Sequence, residues 1–94
     1  MRVRWTAPAK SRLRDIEWFI GYENPAAARR TRRTIRERTS LLAQFPNMGR
    51  ASIAGGFREL VVGGTPWIVT YRVSEREVLV VDVRHASEEW FENL

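Results

Sequence analysis

Apolar residues recur every three or four positions between Ala9 and Phe45, and every second position across the later stretches between Phe57 and Arg84. A period near 3.6 belongs to a helix that buries one stripe, and a period of 2 belongs to a strand that buries one face. The change falls at Pro46-Asn47-Met48-Gly49-Arg50, a cluster of turn-forming residues that breaks the helical pattern. A helical half must therefore lie on a sheet half, because neither can bury its apolar side alone.

In the helical half, Thr6 fits an N-cap and Pro8 suits a first turn. Ala9, Leu13, Ile16 and Ile20 predict an amphipathic helix over about 7–22, ended by Gly21 and Asn24-Pro25. Pro25 opens a second helix to about Phe45, with Ala28, Thr31, Ile35, Leu42 and Phe45 as its stripe. The short link makes the pair an antiparallel hairpin. Arg29, Arg32, Arg33 and Arg36 gather on the reverse face of the second helix, with Glu37 beside them. They are either a solvated helix face or an attractor for nucleic acid or an acidic partner. Trp18 and Tyr22 lie opposite the first helix's stripe, either as an exposed interface patch or packed on the partner helix.

The sheet half predicts strands at about 57–62, 66–73 and 77–84 after a loop at 51–56, with the connections Gly63-Gly64 and Ser74-Glu75-Arg76 short enough for antiparallel hairpins. Residues 2–5 (RVRW) alternate as a further short strand, and 86–94 form a terminal helical turn or a tail. The expected fold is α+β in the order βααβββ: one domain over 1–94, with an N-terminal strand and a helical hairpin on one face of a mainly antiparallel sheet.

Parity divides that sheet. Trp67, Val69, Tyr71 and Val73, with Leu79, Val81 and Val83, are expected on the helix side. Ile68, Thr70 and Arg72, with Val78, Val80, Asp82 and Arg84, then share the open face, Thr70 near Asp82 and Ile68 near Arg84. Arg2 and Arg4 join them if the first strand pairs into the sheet. A face both apolar and basic invites a ligand.

Composition narrows the function. The chain has 94 residues, no cysteine and one histidine, His85, which excludes disulfide scaffolds and Cys- or His-rich metal sites. No cofactor or metal is expected. No apolar run approaches the roughly 20 residues of a membrane span, and Arg2 and Arg4 interrupt any signal-peptide core, so the expectation is a cytoplasmic protein without membrane partners. Sixteen basic residues, fifteen of them Arg, against eleven acidic give a net charge of +5. That excess implies an anionic partner, either nucleic acid or an acidic protein segment.

Four segments, in order, carry a resemblance: Phe45-Pro46-Asn47-Met48-Gly49, Phe57-Arg58-Glu59-Leu60-Val61-Val62, Pro66 through Val73 ending Tyr71-Arg72-Val73, and Val81-Asp82-Val83-Arg84-His85-Ala86. The chain resembles the RelE/ParE superfamily of toxins from bacterial toxin–antitoxin pairs over nearly its whole length, and its P-x-M-G turn and V-x-H-A ending are closer to the ParE side. The resemblance implies a cognate antitoxin as partner, acidic and amphipathic, in a toxin–antitoxin hetero-oligomer. It also implies one of two targets: DNA gyrase, inhibited by contact, or mRNA on the ribosome, cleaved.

Cleavage by the RNA's own 2′-OH requires an acid, a base and cations for the extra phosphate charge. Arg58, Arg84 and His85 are the candidates, with Glu88 and Glu89 nearby. His85 has the intrinsic pKa for the work, though its odd parity points it to the helix side, where it would bond locally and anchor the C-terminus. RelE-like nucleases carry an Arg three residues before the Tyr of the Y-R-V strand, where this chain has Ile68. The C-terminal Tyr of some nucleases is also missing; Trp90 lies near that place and has no ionisable proton to transfer.

Overall fold

The computed structural model describes residues 1–88; Glu89, Trp90 and the rest of the expected tail lie outside the described residues. Strand β1 (Arg2–Trp5) leads into helix α1 (Ala7–Gly21) and helix α2 (Pro25–Ser40), which closes in a 3₁₀ turn (Leu41–Ala43). Strands β2 (Arg50–Ala51), β3 (Arg58–Val61), β4 (Trp67–Val73) and β5 (Glu77–His85) follow. The sheet order is β1-β5-β4-β3-β2, with β1 parallel to β5 and every other pair antiparallel.

Both helices start as their sequences require. Thr6 Oγ1 accepts from the Ala9 amide at 3.2 Å and Asn24 Oδ1 from the Ala27 amide at 3.0 Å, with a proline in each first turn. The hairpin buries Ala28 between the helices beside Gly21 and lays Ala9, Leu13 and Ile16 of α1 and Ile35 of α2 towards the sheet. They meet Leu60, Val69, Tyr71, Val78, Val80 and Val83, while Val3 and Trp5 peg the edge strand β1 to the same core.

Three expectations change. The pairing of β4 with β5 shifts register between Thr70 and Tyr71, so that Thr70 faces Asp82 while Tyr71 faces Val80. The extra residue, Val81, is a bulge that inverts parity along half of β5. Val78 and Val80 are consequently core residues with no exposure, whereas Leu79 and Val81, expected on the helix side, are only half-buried. Second, α2 tightens into the 3₁₀ turn before residue 45; the change of pitch swings Phe45 out to 57% exposure and leaves Thr39 and Leu42 as the last buried residues. Third, the end of the expected turn cluster and the first residue of the loop expected at 51–56 form the two-residue strand β2, which pairs with β3.

A buried tyrosine fixes the turn between the two halves. The Tyr71 hydroxyl donates to the Pro46 carbonyl at 2.7 Å and accepts from the Gly49 amide at 2.8 Å. Burial pushes the Tyr71 pKa up, against the opposing pull of the Gly49 bond and of Arg58. A Cβ at position 49 would lie 2.6 Å from the hydroxyl and 2.7 Å from the Glu59 carbonyl, so only glycine fits. Among the described residues no helix is long and apolar enough to cross a membrane.

Candidate functional site

The expected nuclease residues sit apart. Arg58 pairs across the sheet with Tyr71 and His85 with Trp67, four residues away along β4, a separation of about 13 Å at the usual strand rise. Arg84, one residue from His85, faces the other side of the sheet. Each is also engaged. Arg58 Nη1 donates to the Gly49 carbonyl at 2.8 Å, bracing the turn held by Tyr71. The His85 ring stands edge-on to Trp67 with centroids 5.1 Å apart. Its Nδ1 accepts from the Ser87 amide at 3.1 Å, which puts the proton of the neutral ring on Nε2.

Arg84 is buried. Its Nη2 meets Glu59 Oε2 at 2.8 Å, and its Nη1 donates to the Glu88 carbonyl at 3.1 Å. The other carboxylate oxygen of Glu59 lies 3.3 Å from Arg50 Nε. Glu59 reaches this place because β3 alternates: Leu60 faces the core, so Glu59 faces the open side, where β4 and β5 set it diagonal to Arg84. Arg84 Nε and Thr70 Oγ1 have no partner among the described residues.

The rest of the open face is quieter than its sequence promised. Ile68 and Thr70 are buried and offer a partner little surface. Arg4 makes a two-pronged pair with Glu77 at 2.9 and 3.1 Å, which raises the arginine's pKa and lowers the glutamate's. Arg72 lies over the Phe57 ring at 5.9 Å, and Arg2 is exposed. Asp82 is half-buried, and that burial pushes its pKa up against the Val83 amide, Arg12 and Arg84. Burial also opposes ionisation of Glu88, but bonds from Arg12, at 2.6 Å, and from the His85 amide outweigh it and hold the carboxyl below its usual value.

Among the described residues, a run of exposed arginines outside any ion pair lies on α2. Arg29, Arg30, Arg33 and Arg36 are exposed, and Arg36 rests over the Trp5 ring at 5.4 Å. Arg32, also exposed, pairs with Glu17 of α1 at 2.9 Å. At the hairpin tip Trp18 and Tyr22 stand exposed, with Phe19 beside them, rather than packed away against the partner helix. Sequence reasoning missed Phe19, the Glu59 pair and the Tyr71 clamp. The parity of Glu59 against Leu60 was the available signal for the pair. A tyrosine on a core face, whose hydroxyl must find a partner, was the signal for the clamp.

The chain is thus a helical hairpin on a five-stranded sheet, with exposed arginines along the outer helix. Residues 3–90 match the family described as ParE toxin of type II toxin–antitoxin system, parDE. The chain is 38% identical over 89 residues to a putative toxin, Y4kP, of Sinorhizobium fredii, covering 95% of this chain and 92% of that one. It is 36% identical over 86 residues to toxin RelE2 of Caulobacter vibrioides, covering 92% and 96%. A solved structure, the chromosomal ParDE TA system from P. aeruginosa, superimposes with a TM-score of 0.84 at 26% identity, covering 90% of this chain and 95% of that one. The chain belongs to the ParE toxin family of type II toxin–antitoxin systems.

Proposed function

We propose that this toxin is ParE-like: it inhibits DNA gyrase by protein–protein contact, and a cognate acidic, amphipathic antitoxin neutralises it. The observation that carries the reading is the state of Arg84. A cation for a cleavage site must meet the phosphate with its charge uncommitted. Arg84 instead spends its charge on Glu59 in a buried pair, and Arg58 supports a turn elsewhere. Exposed arginines and aromatics suit a binding protein, since Arg, Trp and Tyr dominate the energetics of protein interfaces.

A second reading has one observation in its favour, the likeness to a relative named RelE2. On that reading the toxin cuts ribosome-bound mRNA with Arg58, Arg84 and His85. Arg84 would then have to leave Glu59, and breaking a buried ion pair typically costs about 3–5 kcal/mol.

Induction without antitoxin separates the two. The gyrase reading expects filamentous cells and DNA-damage signalling while translation continues. Immediate translation arrest with codon-phased breaks in messages would overturn it in favour of the second.

A further inference from the structure

Trp18, Phe19 and Tyr22 are 72%, 75% and 82% exposed at the tip of the helical hairpin. The fold does not use them: the buried stripe of α1 is Ala9, Leu13 and Ile16, on the other side of the helix. Trp18 and Tyr22 lie one turn apart with ring centroids at 6.2 Å. Three such rings at 150–250 Å² each leave on the order of 400–500 Å² of aromatic surface in water, the size of patch that on a monomer is often functional.

The rim is polarised. Towards α2 it carries Arg14 and Arg29, neither of them in an ion pair among the described residues, while Glu17 on that side is already matched by Arg32. Beside Phe19 it carries Glu23, and Asp15 is exposed one turn before Phe19. A partner must therefore set carboxylates against the α2 side and offer sockets to Trp18 and Tyr22. A second copy fits poorly in an antiparallel two-fold contact, with the axis across α1, because each flank then meets the same flank of its mate and Arg14 and Arg29 fall among their own kind.

A different surface suits an antitoxin tail. The strand β2 covers only Arg58 and Glu59 of β3 and leaves the rest of that edge open beside Leu41, Met48 and Val61. An extended segment adds to such an edge through its backbone. That edge adjoins the C-terminal end of α2, and the 16 residues of that helix put it about 24 Å from the tip. The tip has no open strand edge, and its rings call for a folded surface with pockets.

We infer that the hairpin tip, with Trp18 and Tyr22 as anchors and Arg14 and Arg29 as steering charges, is the surface by which the toxin grips an acidic, pocketed face of its protein target. The inference deepens the gyrase reading and rests on it for the identity of the target. Purified Trp18→Ser/Tyr22→Ser and Arg29→Glu toxins are compared with wild type in gyrase supercoiling, antitoxin binding and thermal melting. The anchors are exposed, so melting should not move. The double variant should need about 30-fold more toxin for half-inhibition, as loss of a hot spot entails. Arg29→Glu should need about fivefold more at low salt, with the difference fading as salt rises. Antitoxin affinity should change less than about threefold, within the range of residues outside an interface core.

Unchanged potency in both variants overturns the inference. So does a parallel loss of antitoxin binding, which would assign the tip to the antitoxin. If wild-type toxin arrests growth yet leaves supercoiling intact, the gyrase reading alone falls, and growth assays then judge the tip: loss of toxicity in the double variant upholds it and full toxicity overturns it.

Discussion

Glu59 holds two arginines with one carboxylate, and the Arg84 half of that arrangement is out of water. Removing the glutamate strands a buried cation, so Glu59→Ala should lower unfolding free energy by about 3–5 kcal/mol. Glu59→Leu with Arg84→Met should restore most of it, and urea titration of single and double variants checks the coupling. Gly49 is constrained by contact: Gly49→Ala drives a methyl into Tyr71 and should cost about 1–3 kcal/mol. Gly55→Ala, with open space around it, should change stability by less than about 0.5 kcal/mol in the same titration. Asp82 and Glu77 give opposite pH signs. Burial raises the folded pKa of Asp82 above the ordinary 3.8, so its ionised form is a liability that grows as pH rises through the folded value. Asp82→Asn should raise the melting temperature at pH 7 and bring no benefit below about pH 3, where both states are protonated. Arg4 lowers the folded pKa of Glu77 below the ordinary 4.5, so the stability from that pair is present above pH 4.5 and is lost as pH falls through the folded value. At this scale the sequence named the residues but not their engagements. Arg58, Arg84 and His85 are close in pattern, yet strand register and parity send them to different partners, and Glu59 stood beside Leu60 without being assigned to a face.

The elements themselves were legible wherever periodicity was strong. Thr6, Asn24 and the two prolines mark the helix starts, and the short link at Asn24-Pro25 forces the hairpin. The register of β4 on β5 was legible from Ile68 to Thr70 and failed beyond, because Val78-Leu79-Val80-Val81 is apolar at every position and supports either parity. A two-residue strand such as β2 has no period to read. The edge strand β1 makes its own prediction. Trp5 packs on the core beneath Arg36, so Trp5→Ala should cost about 3 kcal/mol, measured by urea titration. The outer face of α2 makes another. Changing Arg30, Arg33 and Arg36 together to Gln keeps helix propensity and removes three exposed charges away from the tip. Association with the antitoxin should slow about tenfold at low ionic strength and converge on wild type at high salt, as stopped-flow mixing would record.

In the whole molecule, charge and apolar surface are distributed over separate regions. The sheet's open face binds its own arginines through Glu59 and Glu77, the outer helix keeps Arg29, Arg30, Arg33 and Arg36 out of ion pairs among the described residues, and exposed aromatics gather at the hairpin tip. On the proposed reading, a toxin arranged in this way engages its partners through protein surfaces. Its affinity for the antitoxin should therefore decline less with salt than nucleic-acid binding, where each neutralised phosphate releases counterions. The measurement that bears most directly on this account adds antitoxin-free toxin to gyrase and relaxed plasmid, with primer extension on actively translated messages run alongside. Supercoiling should fall with toxin concentration and return on addition of antitoxin, while message ends stay intact. Full supercoiling at toxin excess, together with codon-phased cuts that disappear in Arg84→Ala, would contradict it.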